Sequence, residues 1–126
     1  MKVVAIIQAR MGSTRLPGKV LMDLAGEPML ARVVNRSRRA VLLNEVVVAT
    51  TTQPDDEAIA RLCAERKWLC FRGSEDDVLD RYEQAAEEYK ADVVVRITSD
   101  CPLIEPTIID RTVREFLKRR PDVDYV

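Results

Sequence analysis

The chain has 126 residues, 47% of them hydrophobic and 33% charged, with a net charge of −1. That length reads as one domain over 1–126, and the composition can build a packed core, which excludes a disordered segment. A balance so close to neutral supplies no global field for nucleic acid or an anionic membrane, so any anion site must come from local clustering of cations.

The amino terminus opens with a short apolar run, Val3 to Ile7. It is too short for a signal peptide and no small-residue cleavage site follows it. No stretch approaches the ~20 apolar residues of a membrane helix, so a cytoplasmic protein with no membrane partner is expected. Val3–Ala9 is β-branched and reads as a buried strand. Pro28–Ala40 carries an apolar stripe (Met29, Leu30, Val33, Val34) and a basic end, which predicts an amphipathic helix with Pro in its first turn. Val46–Thr50 reads as a second strand and Asp55–Lys67 as a second helix. Leu69–Phe71 reads as a short third strand, in which Trp68 and Cys70 simply pack.

Ser74 can cap a helix over Glu75–Lys90, with Asp76 and Asp77 suiting its positive end. Asp92–Thr98 reads as the fourth strand and Thr107–Arg119 as the fourth helix. Lys118, Arg119 and Arg120 form a cationic helix end, which is no nucleic-acid patch. Asp124–Val126 looks like the opening of a fifth strand, with Asp122 and Asp124 in the turn before it. Strands alternating with helices predict an α/β fold, a mainly parallel sheet with helices on both faces.

The connection after the first strand, about Arg10 to Glu27, is far longer than the usual 2–6 residues, and long connections tend to be functional. Within it Arg10, Arg15 and Lys19 gather with Gly12, Ser13 and Gly18, and no acid interrupts them. Such a loop at the carboxyl end of a strand can turn several backbone N–H groups onto a phosphate while the cations neutralise the rest. It is not a Walker A loop. Five residues separate Gly12 from Gly18, and Val20 follows Lys19 where a metal-binding hydroxyl should stand.

The cation therefore needs another anchor. Asp100, just past the fourth strand, can serve as a Mg²⁺ ligand if that strand neighbours the first. The chain has no histidine, which removes the commonest general base and the usual nucleophilic pairs. With no such partner, Cys101 reads as passive. Three cysteines without CxxC spacing make neither a disulfide framework nor a zinc ribbon.

The stretch Ile6 to Lys19, IIQARMGSTRLPGK, closely resembles the opening signature of the cytidylyltransferases that activate acidic sugars, those of CMP-Kdo and acylneuraminate synthesis. With Arg72–Tyr82 and Thr98–Ile104 it looks most like the SpsF branch, of spore coat polysaccharide biosynthesis. The resemblance spans essentially the whole chain. It implies a Rossmann-like nucleotidyltransferase fold (nucleotide-diphospho-sugar transferase-like), usually dimeric, that uses CTP, Mg²⁺ and a sugar acid.

It further implies that Arg10, Gly12, Ser13, Arg15 and Lys19 hold the nucleotide, with Arg15 and Lys19 catalytic against the leaving pyrophosphate. Arg72 would lie near the nucleotide and Asp100 would bind the metal. Family members are about twice as long, so this chain reads as the N-terminal half, binding nucleotide with weak or no turnover. Two other readings stay open. One is a nucleotidyltransferase or glycosyltransferase using another nucleotide, and the other is a nucleotide-binding or dimerisation module without catalysis.

Overall fold

The computed structural model describes residues 2–12, 19–74, 78–98 and 104–119, without the side chains of Lys19, Leu24, Val78 and Arg119. Ser13, Arg15, Asp100 and the expected fifth strand lie outside these residues.

Four strands form one parallel sheet: β1 (Val3–Gln8), β4 (Glu45–Thr51), β5 (Leu69–Gly73) and β6 (Val93–Thr98), in the order β5-β4-β1-β6. β1 is central and hydrogen-bonded along both edges, with Ile7 opposite Val48 on one side and Ile97 on the other. A strand buried on both faces should be apolar at every position, and Val3, Val4, Ala5, Ile6 and Ile7 are all buried. Parallel neighbours require crossovers, and these are helices.

The helices α1 (Met29–Ser37), α2 (Glu57–Arg66) and α4 (Pro106–Arg119) bury Leu30, Val33, Ile59, Cys63, Ile109 and Val113 with Ala5 and Ile7, in one core. α3 (Val78–Glu88) brings Tyr82 and Ala85 onto Val4, Ile6, Val47 and Ala49, in a second core. The alternation of β1 side chains between the two cores is the period-2 rule of a strand at work. The expected sheet with helices on both faces is therefore present. β6 is an edge strand among the described residues, and a groove of about 770 Å³ runs along it between α3 and α4.

Two details depart from the sequence reading. Residues 23–28 form a small hairpin, β2 (Asp23–Leu24) against β3 (Glu27–Pro28), at the end of what reads as unbroken loop. Its two central residues, Ala25 at φ 55° and Gly26 at φ 94°, are both left-handed, as a tight two-residue hairpin turn demands. The Met29 amide donates to the Met22 carbonyl at 2.9 Å and the Arg32 guanidinium to the Ala25 carbonyl at 2.7 Å, which ties the hairpin to α1. Consequently α1 starts at Met29. Pro28 stands before it with φ −58° and ψ 147°, an N-cap and not a first-turn residue.

The end of β5 is tightly packed. A Cβ added to the buried Gly73 would stand 2.9 Å from both Arg81 Cγ and Phe71 Cε2. Overpacking of this kind costs about 1–3 kcal/mol. Gly73→Ala should lower the urea unfolding free energy by that amount, and an unchanged midpoint would show that Arg81 gives way freely.

Candidate functional site

All four long strands run the same way, so their carboxyl ends share one rim. Chain order sends the second and third of them to one side of β1 and brings the fourth back to the other. That reversal makes a topological switch point, the place where open α/β sheets bind ligands. Register fixes the geometry: Gln8, the last residue of β1, lies opposite Thr98, the last residue of β6. The condition placed on Asp100 is thus met for the strand that leads to it, although Asp100 is outside the described residues.

Beyond Gln8 the chain stays attached to β4 for one more residue, the Ala9 amide donating to the Ala49 carbonyl at 2.9 Å. Arg10 and Gly12 come next. The Arg10 guanidinium folds back against Gly12, with Nη2 3.6 Å from the position a Cβ would take there. Alanine therefore fits at Gly12 sterically. Lys19 starts a 3-10 turn, Lys19–Leu21, whose next residue, Val20, is buried in the larger core. The far end of the loop is thereby pinned by an apolar side chain while its cation-bearing neighbour stays at the loop boundary.

Arg72, near the carboxyl end of β5, is committed to the framework. Its Nε donates to the Thr51 carbonyl at 2.8 Å, Nη2 to the Gln53 carbonyl at 3.1 Å, and Nη1 pairs with the Glu57 carboxylate at 2.5 Å. These bonds clamp the bend between β4 and α2. Two strand spacings of about 4.8 Å set Arg72 roughly 10 Å from β1 across the sheet, so the rim carries a cation on each side of the end of β4. Ser74 uses its carbonyl to accept from Arg81 Nη1 at 2.5 Å; the acids expected beside it as a helix cap, Asp76 and Asp77, lie outside the described residues.

A residue the sequence reading passed over occupies the middle of this rim. Asp56 is 3% exposed and its carboxylate accepts the Met11 amide at 2.7 Å and the Thr51 hydroxyl. Among consecutive acids opening a helix, nothing marks the inward-facing one, because both read as complements to the helix dipole. Among the described residues no group of three or more Cys, Asp or Glu could hold a metal ion, and both Asp56 oxygens already have partners.

Below the rim, Cys70 on β5 and the buried Cys63 of α2 act on each other's titration. The interaction with Cys63, helped by the Arg72 charge, lowers the Cys70 pKa from the ordinary 9.0 against the opposing effect of burial. The same interaction, with burial, holds the Cys63 proton far above its usual range. Tyr89, whose hydroxyl donates to the Cys70 carbonyl at 3.2 Å, is pushed up mainly by burial. Thiolate is the reactive form, so alkylation of Cys70 should begin at lower pH than that of Cys63. Peptide mapping after iodoacetamide across pH 6.5–9 (about two units below the usual thiol pKa to near it) checks this, and equal labelling would refute the pairing.

With the site described, comparison with known proteins adds the following. A family model described as cytidylyltransferase matches residues 4–126. The spore coat polysaccharide biosynthesis protein SpsF of Bacillus subtilis is 36% identical over 98% of this chain and 53% of its own length. Among solved structures, a cytidylyltransferase from Leptospira borgpetersenii is 39% identical with a TM-score of 0.92, covering 98% of this chain and 52% of that one. A CMP:2-keto-3-deoxy-manno-octonic acid synthetase in complex with CTP is 28% identical with a TM-score of 0.82, covering 96% of this chain and 49% of that one. The chain thus spans about half the length of these relatives.

Proposed function

The chain belongs to the cytidylyltransferase family, and on that premise we propose that its protein transfers a cytidylyl group from CTP to a hydroxyl of a sugar acid, in the cytoplasm and for polysaccharide biosynthesis. The observation that carries the reading is the pairing of Gln8 with Thr98, which sets side by side the strand ends that lead into the two motif-bearing segments. The CTP complex of the CMP:2-keto-3-deoxy-manno-octonic acid synthetase and the likeness to SpsF support the nucleotide and the pathway class.

On this reading residues 1–126 are a nucleotide-binding domain. Arg10, Gly12, Ser13, Arg15 and Lys19 take the triphosphate, and Arg72 stiffens the rim beside it. The sugar hydroxyl attacks the α-phosphorus in line and pyrophosphate leaves. Little covalent chemistry falls to the protein, whose share is positioning and charge stabilisation. Arg15 and Lys19 offset the charge that grows on the departing pyrophosphate.

The donor set bears on the metal. Both oxygens of Asp56 are already engaged in hydrogen bonds, and Asp100, which follows the strand tip opposite Gln8, is the carboxylate we assign to Mg²⁺. One carboxylate with phosphate oxygens and water suits Mg²⁺, and that ion would supply charge neutralisation on the phosphates. A glycosyltransferase would normally show an Asp-x-Asp pair at such a strand end, where this chain has Thr98-Ser99-Asp100.

Isothermal titration should show CTP bound in preference to UTP, GTP and ATP, and more tightly with Mg²⁺. Lys19→Ala should weaken CTP binding by about tenfold or more, the equivalent of one charge-assisted hydrogen bond. No binding of CTP with or without Mg²⁺ would overturn the reading, and unaltered binding in Lys19→Ala would remove the loop from it.

A further inference from the structure

We propose that Asp56 is a positioning residue of the nucleotide site, holding the entrance of the cationic loop in the shape that receives the triphosphate. The inference rests on the functional reading above and names a part of the site that the motifs do not. Asp56 closes the 3-10 turn Pro54–Asp56 that leads into α2, and its own amide donates to the Gln53 carbonyl at 3.0 Å. One carboxylate oxygen accepts the Met11 amide at 2.7 Å, across 45 positions of sequence, and the other accepts the Thr51 hydroxyl. The Thr51 oxygen in turn accepts the Gln53 amide at 3.1 Å. A single buried carboxylate thereby joins the tip of β4, the turn after it and the loop after β1.

The place of the contact gives it its meaning. Ala9 makes the last main-chain bond to β4, and two residues later the Met11 amide has passed the end of the sheet ladder. The Asp56 carboxylate takes the role of the missing strand and dictates the direction in which the chain leaves the sheet. Arg10 and Gly12 sit on either side of that amide, so the orientation of Met11 sets where the Arg10 guanidinium and the Gly12 backbone face. A bond from an amide to an ionised carboxylate is short and strong. Burying a carboxylate is costly unless its oxygens are satisfied, and here both are. Ordering the loop before the nucleotide arrives removes an entropic penalty that binding would otherwise carry.

A merely structural role makes a different forecast, because loss of packing would weaken all nucleotides alike or only lower the melting temperature. Wild type, Asp56→Ala, Asp56→Asn and Thr51→Val should be titrated with CTP and with CMP, with Asn44→Ala as a control. Asn44 exchanges hydrogen bonds with Val3 at the opposite end of the sheet, so its loss destabilises far from the rim. Amide hydrogen exchange at residues 10–12 of the ligand-free proteins supplies a readout without nucleotide.

We expect Asp56→Ala to weaken CTP about tenfold while CMP changes less than about twofold, so that the preference for triphosphate collapses. Exchange at Met11 should quicken by at least a similar factor. Asp56→Asn keeps an acceptor for Met11 and should fall between, as should Thr51→Val, and these two carry the test if the alanine variant does not fold. Asn44→Ala should lower the melting temperature without altering the CTP-to-CMP ratio. Equal losses for CTP and CMP, or unchanged exchange at Met11, would overturn the proposal. A wild type that binds neither nucleotide while Met11 exchange still depends on Asp56 would instead overturn the cytidylyltransferase reading and, with it, the nucleotide role of the anchor.

Discussion

The hydrogen-bonding of β1 along both of its edges is the constraint from which the rest of the molecule follows. A strand in that position must be apolar on both faces, must satisfy every amide and carbonyl from neighbours, and must end where they end. Because β4 and β5 lie on one side and β6 on the other, the crossover from β5 to β6 has to pass over β4 and β1, which puts α3 alone on the second face. The chain leaving β1 then emerges between two strands whose connections diverge.

Charge at the rim is arranged in opposition to what bulk composition suggests. With acids and bases almost balanced over the whole chain, a cationic site requires that nearby acids be either absent or spent. Both devices are visible. The loop segment from Arg10 to Lys19 has no acid at all, and the acids that do approach the rim are consumed: Asp56 by Met11 and Thr51, Glu57 by Arg72. The Arg72–Glu57 pair is half open to solvent and contributes little to stability by itself; its effect is to hold the bend that carries Asp56. Negative charge among the described residues of the rim thus builds the frame.

Much of this was legible in the residues. The four long strands announce themselves as β-branched runs, and the helices as stripes at i, i+3 and i+4 between them, with boundaries displaced by only a few positions. The 23–28 hairpin was not legible, because two-residue strands carry no periodicity and Ala25 gives no hint of a left-handed conformation. Strand order is equally silent in a pattern of alternating elements, and only the long loop after the first strand hinted at where the sheet reverses. Asp56 was hidden for a different reason. Asp55 and Asp56 are interchangeable in one dimension, and only the geometry of the 3-10 turn decides which of them points inward. For Arg72 the resemblance implied only a place near the nucleotide; that its nitrogens hold Thr51, Gln53 and Glu57 was not legible.

Chemistry separates the groove beside β6 from the rim above β1. The groove beside β6 is large, but it runs along the strand and is walled by Leu79, Val93, Val95, Ile108 and Phe116. Its cation, Arg96, lies 4.4 Å from the ring centre of Tyr82, which draws the charge onto an aromatic face. A triphosphate entering there would lose its hydration to apolar walls with too little positive charge in return. The rim above β1 is where the Arg10 guanidinium meets the exposed Gly12 backbone, and an anion is held by such groups and not by volume. The direction in which the parallel strands point, and not the size of the groove, therefore favours the rim as the candidate site.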